Sequence, residues 1–311
     1  MESLMKLRYK ILIGSVSFFT LNLICKGLNG NFDADDLVKP SKSGSAWDTS
    51  SEKAFDIQSL LKQKFHYLGK GHQAFAFTSE DGKYVLKLFK PHYPHLEFWG
   101  ESFNFTYIPF SKWLYKVVAK EAFAKRIKED FISYVNAYTS FKDESLVEYL
   151  HLAETSDLKL PLQLFDKINV LRNFDSNTTC FLIQKKVEPL QVTLKNLLKE
   201  DKITEVRCVL EKLLHLLERR VELGFYKPTH KFHANFGCIG LEPYQLDIGN
   251  LLTPKDLGLA EGTQTIDLTT SVKKLKIWLG DHIPSLNAEV DEIVRNEFTP
   301  QGQLPPPLES F

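Results

Sequence analysis

Along residues 65–90 apolar and polar positions follow the two-residue period of half-buried strands. Phe65, Tyr67 and Leu68 lead into Gly69-Lys70-Gly71, alternation resumes at Phe75 and Phe77, and Tyr84–Phe89 forms a third run. Glu80-Asp81-Gly82 has the acid–glycine signature of a hairpin turn. From Lys116 to Phe141 the period lengthens: Val118, Phe123, Ile127, Phe131, Val135 and Tyr138 recur at helical spacing against a charged face. Leu146–Leu152 and Cys180–Val187 read as strands. The strongest helix signal is Glu205–Leu223, with Val206, Val209, Leu210, Leu213, Leu214, Leu217 and Val221 on one stripe and Gly224 where a C-terminal glycine belongs. Ala54–Lys64 reads as a short helix, Tyr244–Leu252 as a strand or turn, and Leu268–Leu279 and Ala288–Phe298 as helices. Strands first and helices later predict an α+β protein with a sheet lobe followed by a helical one.

The N-terminus has another pattern. Lys6, Arg8 and Lys10 precede Ile11–Cys25, fifteen residues without a charge. A membrane span needs about 20 apolar residues and a signal-peptide core about 7–15, so residues 1–27 read as a signal peptide or a membrane anchor. Neither an A-x-A site nor a complete lipoprotein box is present, since Ile24 stands where that box wants a small residue. A buried N-terminal helix is the bland alternative, weakened by the three cations before it. Residues 28–53 are rich in Ser, Gly and acids and read as a disordered linker. Residues 299–311, with Pro305-Pro306-Pro307, read as a disordered tail. The folded domain is then expected at 54–298.

Composition narrows the function classes. The 311 residues carry 39 Lys+Arg and 39 Asp+Glu, a formal charge of zero, which argues against a nucleic-acid binder. Residues 1–27 hold four basic residues and one acid, so the remainder has 35 basic and 38 acidic residues, a net −3. Cys25, Cys180, Cys208 and Cys238 are too few for a disulfide scaffold and form no zinc pattern, so the last three read as buried free thiols. The basic positions of residues 112–128 alternate with Glu121 and Glu129 and read as a solvated helix face. Asn104-Phe105-Thr106 and Asn177-Thr178-Thr179 are glycosylation sequons.

Three segments carry candidate chemistry. Gly69 and Gly71, at a strand-to-strand turn, let backbone N–H groups approach phosphates, and Lys87 on a following strand reaches the same phosphates. Asn235 and Asp247, twelve residues apart, supply oxygen ligands of the kind Mg²⁺ takes. Phosphoryl transfer needs phosphate clamps, metal oxygens and a positioned nucleophile. The bland readings are a plain hairpin, a solvated edge lysine, and turn-capping polar residues.

In this order and spacing, over roughly residues 64–252, the chain resembles the protein-kinase-like superfamily. Gly69 and Gly71 match the first two glycines of the kinase loop, with Ala74 in place of the third. Lys87 matches the strand lysine, Gln184–Val187 the hinge that faces adenine, Asn235 the catalytic-loop asparagine, and Asp247 the aspartate of DFG, written here DIG. The patterns YLGKGHQAFAF and NFGCIG are also similar to divergent kinase-like proteins of chlamydia-type bacteria. The resemblance implies a two-lobed fold with a small N-terminal sheet lobe and a reduced helical C-lobe, with ATP and Mg²⁺ as cofactors. It also implies a helix glutamate paired with Lys87, for which Glu129 is favoured over Glu121.

The departures matter equally. The catalytic aspartate's position is taken by His230, and no Asp or Glu occurs from Leu223 to Leu241. His230 and His233 have the chemistry of a base but read first as loop histidines. Lys227 and Lys231 nearby add phosphate attraction. Only 64 residues follow Asp247, too few for the usual peptide-binding subdomain. The expectation is an exported or membrane-tethered pseudokinase that binds a protein partner and a nucleotide. The rivals are an active atypical phosphotransferase and a non-kinase interaction protein; without a functional signal segment the protein would be cytoplasmic.

Overall fold

The computed structural model describes residues 55–71, 73–91, 96–98, 101–103, 120–227 and 231–298, with residues 10, 13–18, 20–21, 24–25, 27–30, 32, 37–43, 45–47 and 49 nearer the N-terminus. The chain divides into two compact units, Met1–Pro91 with His151–Ile183, and His92–Leu150 with Gln184–Phe311. The architecture is α+β.

The first unit is built on a mixed sheet. Its strands are β1 (Lys64–Lys70), β2 (Ala74–Ser79), β3 (Tyr84–Phe89), β7 (Leu162–Phe165), β8 (Leu171–Phe174) and β9 (Phe181–Lys185). They neighbour one another in the order β9-β3-β2-β1-β7-β8. The predicted three-strand run is antiparallel throughout, while β7 joins β1 in parallel. Gly82, at φ +72°, makes the β2–β3 turn that the acid–glycine signal predicted. Phe65, Phe77, Leu86, Leu88, Leu164 and Phe181 are buried. A four-residue helix, α1 (Ile57–Leu60), precedes β1, and the Asp56 carboxylate caps it by accepting from the Ser59 N–H at 3.1 Å.

β7 and β8 lie outside the sequence reading. Each has four residues; β7 alternates buried and half-buried positions over too short a run to stand out, and all but one of the positions in β8 are exposed.

The segment expected as a linker is tied to this sheet. Phe32 is buried, edge-on to Phe75, Phe77 and Phe174 at 5.0–6.0 Å between ring centroids. The Val38 N–H donates to Phe89 O at 2.9 Å. Ser41 bridges to Ala153, its N–H donating to Leu152 O at 2.9 Å. The composition of 28–53 hid this, because a single phenylalanine placed between rings outweighs its polar neighbours.

Further towards the N-terminus, the described residues from 10 to 28 are mostly helical. Ile13, Val16, Phe18, Leu21, Ile24 and Leu28 are all exposed. The segment is therefore not a buried helix of the core. No helix among the described residues is long and apolar enough to cross a membrane.

The second unit is mostly helical. After the short hairpin β4 (Leu96–Phe98) and β5 (Glu101–Phe103) come α2 (Lys120–Thr139), α3 (Lys142–Ser145) and β6 (Val147–His151). Then follow β10 (Glu188–Pro189), α4 (Leu190–Lys199), α5 (Ile203–Glu222), α6 (Phe232–Asn235), β11 (Phe236–Ile239), β12 (Glu242–Gln245), α7 (Thr263–His282) and α8 (Asn287–Ile293), which runs on into a π turn at Val294–Phe298. The stripe predicted on α5 is buried from Val206 to Leu217 and packs on α4, α7 and α8. Burying each such side chain stabilises the fold by about 1.5–3 kcal/mol. Gly224, at φ +81°, ends α5 as predicted.

Cys180 and Cys238 are buried, Cys208 half-buried and Cys25 exposed, and all four are free thiols. Asn104 lies outside the described residues. The Asn177 amide is fully engaged: it donates to Leu158 O at 2.8 Å and accepts from Leu158 N at 3.1 Å and Thr155 Oγ1 at 3.0 Å.

Candidate functional site

In the second unit, the β11–β12 hairpin brings two of the predicted residues together. Asn235 ends α6 and leads directly into β11, while Asp247 follows two residues after β12. Phe236 pairs with Gln245, so the hairpin closes where these residues sit. The Asn235 carbonyl accepts from the Leu246 N–H at 2.7 Å and from the Asp247 N–H at 3.4 Å. A twelve-residue separation in sequence is thus one hydrogen bond in space.

The loop after Asp247 is gripped by α2. Ser133 Oγ donates to Ile248 O at 2.7 Å and accepts from the Leu251 N–H, and Asn136 donates to Leu251 O at 2.9 Å. Asp247 Oδ1 accepts from the Gly249 N–H at 3.2 Å, a local turn that fixes the carboxylate.

The other carboxylate oxygen has a partner that sequence reading placed in a loop. Lys227 Nζ lies 3.4 Å from Asp247 Oδ2 and donates to Gly249 O. The lysine side chain is 5% exposed and that of Asp247 44%. Burial pushes the Lys227 ammonium below the usual lysine range, and Asp247 pulls it back.

This pair is the outer end of a buried polar network. The Lys227 N–H donates to Asp267 Oδ2 at 3.1 Å, and the same oxygen accepts from Arg220 Nη2 at 2.9 Å. Arg220 and Asp267 are fully buried, and burial pulls the guanidinium below its usual range against the pull of Asp267. Arg220 Nη1 donates to Gln245 Oε1 at 3.0 Å, and Gln245 Nε2 donates to Asp247 O at 2.9 Å. Helices α5 and α7 and the hairpin are thereby joined through one set of hydrogen bonds.

The remaining predicted residues fall as follows. Gln184, expected at an adenine-facing hinge, is buried, and its amide donates to Ser145 O at 2.5 Å and to Gln245 O at 3.4 Å. It is therefore committed to backbone carbonyls of the fold. Val187 packs against Gly237, where an added Cβ would collide with Val187 and lie 2.5 Å from Glu188 O. Glu129, expected opposite Lys87, meets Arg126 at 3.3 Å and Lys125 at 3.9 Å. His230 lies outside the described residues. His233 falls within α6, but its side chain is not described.

In the first unit, Gly69 is not in a turn as predicted. It sits inside β1 beside a bulge: Tyr67 pairs with Phe77 and Gly69 with Ala76, leaving Leu68 as the extra residue. Gly71 begins the turn, its N–H donating to Ala74 O at 2.9 Å. The fold does not require glycine at either place. Neither has a positive φ, and among the described residues no atom would meet a Cβ within 4 Å at Gly69 while Gly71 would meet only Ala74 O at 3.8 Å. Lys87 is half-buried on β3, opposite Ala76, between buried Leu86 and Leu88.

The described residues beside Asp247 do not by themselves fit a Mg²⁺ ion. Such an ion keeps several waters and takes one or two free carboxylates together with substrate phosphates. Here the one carboxylate already carries an ammonium, and Asn235 offers a neutral oxygen.

No protein-family model matches the chain, and no curated protein matches it. Two solved structures of WbdD share a weak likeness. One, WbdD with the kinase inhibitor LY294002, aligns at a TM-score of 0.30 and 13% identity over 74% of this chain and 45% of that chain. Another crystal structure of WbdD aligns at a TM-score of 0.31 and 12% identity over 76% and 47%. The chain spans less than half the length of the WbdD chains it matches.

Proposed function

We propose that the protein is an exported or membrane-tethered kinase-like protein without phosphotransfer activity, one that binds a protein partner and a nucleotide. The observation that carries this reading is the hairpin that puts Asn235 against Asp247 while residues 223–241 contain no carboxylate. The loop geometry survives in outline, but the Asp247 carboxylate is taken by Lys227 and the group that accepts the substrate's proton is missing. The exposed apolar helix between residues 13 and 28, preceded by cations, supports the tether or export.

Gly69 and Gly71 support nucleotide binding. Glycine costs strand stability, and nothing within the fold demands it at these positions. A ligand backed closely against the chain would.

Phosphate release and transfer from ATP by the purified full-length protein is the direct test, with background rates expected. Robust turnover that is lost in Asp247→Ala would overturn the reading. Nucleotide binding is checked by thermal-shift titration with ATP. Gly69→Ala and Gly71→Ala are expected to leave the melting temperature without ligand nearly unchanged and to abolish the ATP-induced shift. Equal shifts in the variants and the wild type would remove the glycines from the site.

A further inference from the structure

We propose that Lys227 is the resident cation of Asp247, held where a divalent metal would otherwise sit, so that the site is metal-free by construction. The proposal rests on the kinase-like reading only for its meaning; the chemistry is that of the pair itself. Three observations converge. The ammonium is 3.4 Å from Asp247 Oδ2 and has Gly249 O as a second oxygen partner, two donor atoms a hard cation would seek. Lys227 is nearly wholly buried, so its charge cannot swing into solvent to vacate the place. Its backbone N–H is also pinned by Asp267, which Arg220 holds in turn.

A metal arriving at Asp247 would meet a buried, fixed positive charge 3.4 Å from the carboxylate oxygen it needs, and like charges repel. Displacing the lysine would leave a buried ammonium without its carboxylate, which costs heavily. Asp247 is therefore a structural anion that fixes the loop after the hairpin. A nucleotide taken by this protein would be taken without Mg²⁺.

The experiment is Mn²⁺ titration of the full-length protein followed by electron paramagnetic resonance, with Mg²⁺ as competitor. The wild type is expected to show no Mn²⁺ site that depends on Asp247, meaning that Asp247→Asn leaves its binding curve unchanged. Lys227→Met keeps the apolar stem and removes the charge; it is expected to gain an Mn²⁺ site that the wild type lacks, lost again in the Lys227→Met, Asp247→Asn double variant. A wild-type Mn²⁺ site abolished by Asp247→Asn would overturn the proposal, and so would a folded Lys227→Met that gains none. Should Lys227→Met fail to fold, the wild type against Asp247→Asn decides alone. Phosphotransfer activity, which bears on the functional reading, is scored in a separate assay, so either claim falls without the other.

Discussion

Asp267 is the residue on which the second unit's polar interior turns. Its carboxylate receives Arg220, Ser271 and the Lys227 backbone. Removing it leaves a fully buried guanidinium uncompensated, so Asp267→Ala is expected to cost about 3–5 kcal/mol in urea-unfolding free energy. Combining it with Arg220→Met should restore part of that loss, because an apolar pair needs no desolvation of charge. A single-variant cost as small as that of a surface pair would mean that water reaches the network. Cys238 makes a second residue-scale case. Burial pushes its thiol up to about 11, against the opposing hydrogen bond with Thr193. An unfolded thiol ionises near pH 8.5. Its folded value lies higher, so its share of stability is whole below about pH 8.5 and is lost as the unfolded chain ionises up to about 11. The stability advantage of wild type over Cys238→Ala should accordingly shrink across that window; a constant difference would mean the thiol is hydrated. Lys227 shows what sequence hides at this scale. Among neighbours such as His230 and Lys231 it read as a source of phosphate attraction, whereas its side chain is buried against Asp247.

At the scale of elements, legibility followed length and burial. The α5 stripe ran twenty residues and was found within two residues of each end, because its buried positions repeat over five turns. The β1–β3 run was found because alternate residues of β2 are buried. β8 was missed because an exposed strand has no hydrophobic period, and α4 because ten residues after Pro189 give fewer than three turns of pattern. The β11–β12 hairpin shows how a motif is read for the wrong physical reason. Gly237, two residues after Asn235, looked like part of a chemical signature, yet it is the glycine the fold requires. A Cβ there would press on Val187 and on Glu188 O, at the point where β10 pairs with β11. Gly237→Ala should thus separate these strands and cost about 1–3 kcal/mol. Loss of amide-exchange protection at residue 188 and residues 236–239 would report it, and unchanged protection would show that Val187 yields without disturbing the ladder. The contrast with Gly69 and Gly71, where the fold leaves room for a side chain, separates structural glycine from the candidate ligand-facing kind.

For the whole molecule, the sequence boundary at residue 54 and the physical one differ. Polar composition made 28–53 look like linker, but Phe32 closes the face of the sheet over Phe75, Phe77 and Phe174, and Gly30 approaches the Tyr67 ring so closely that a Cβ would lie 2.8 Å from its hydroxyl. Val38 and Ser41 then add backbone hydrogen bonds to Phe89 and Leu152. Ile13, Val16, Phe18, Leu21, Ile24 and Leu28, by contrast, are exposed and add no such burial. Truncation at two points should therefore have unequal effects. A chain beginning at residue 28 is expected to unfold with the full-length free energy and to carry the net charge of −3 that follows from losing four basic residues and one acid. A chain beginning at residue 54 loses the Phe32 packing, worth about 3–5 kcal/mol on the scale of buried Phe→Ala changes, along with the strand-edge hydrogen bonds. Phe32→Ala in the full-length chain should reproduce most of that deficit, which ties it to one ring rather than to chain length. Equal stability of the two truncated chains would return residues 28–53 to the role of linker and leave the folded domain where composition alone had put it.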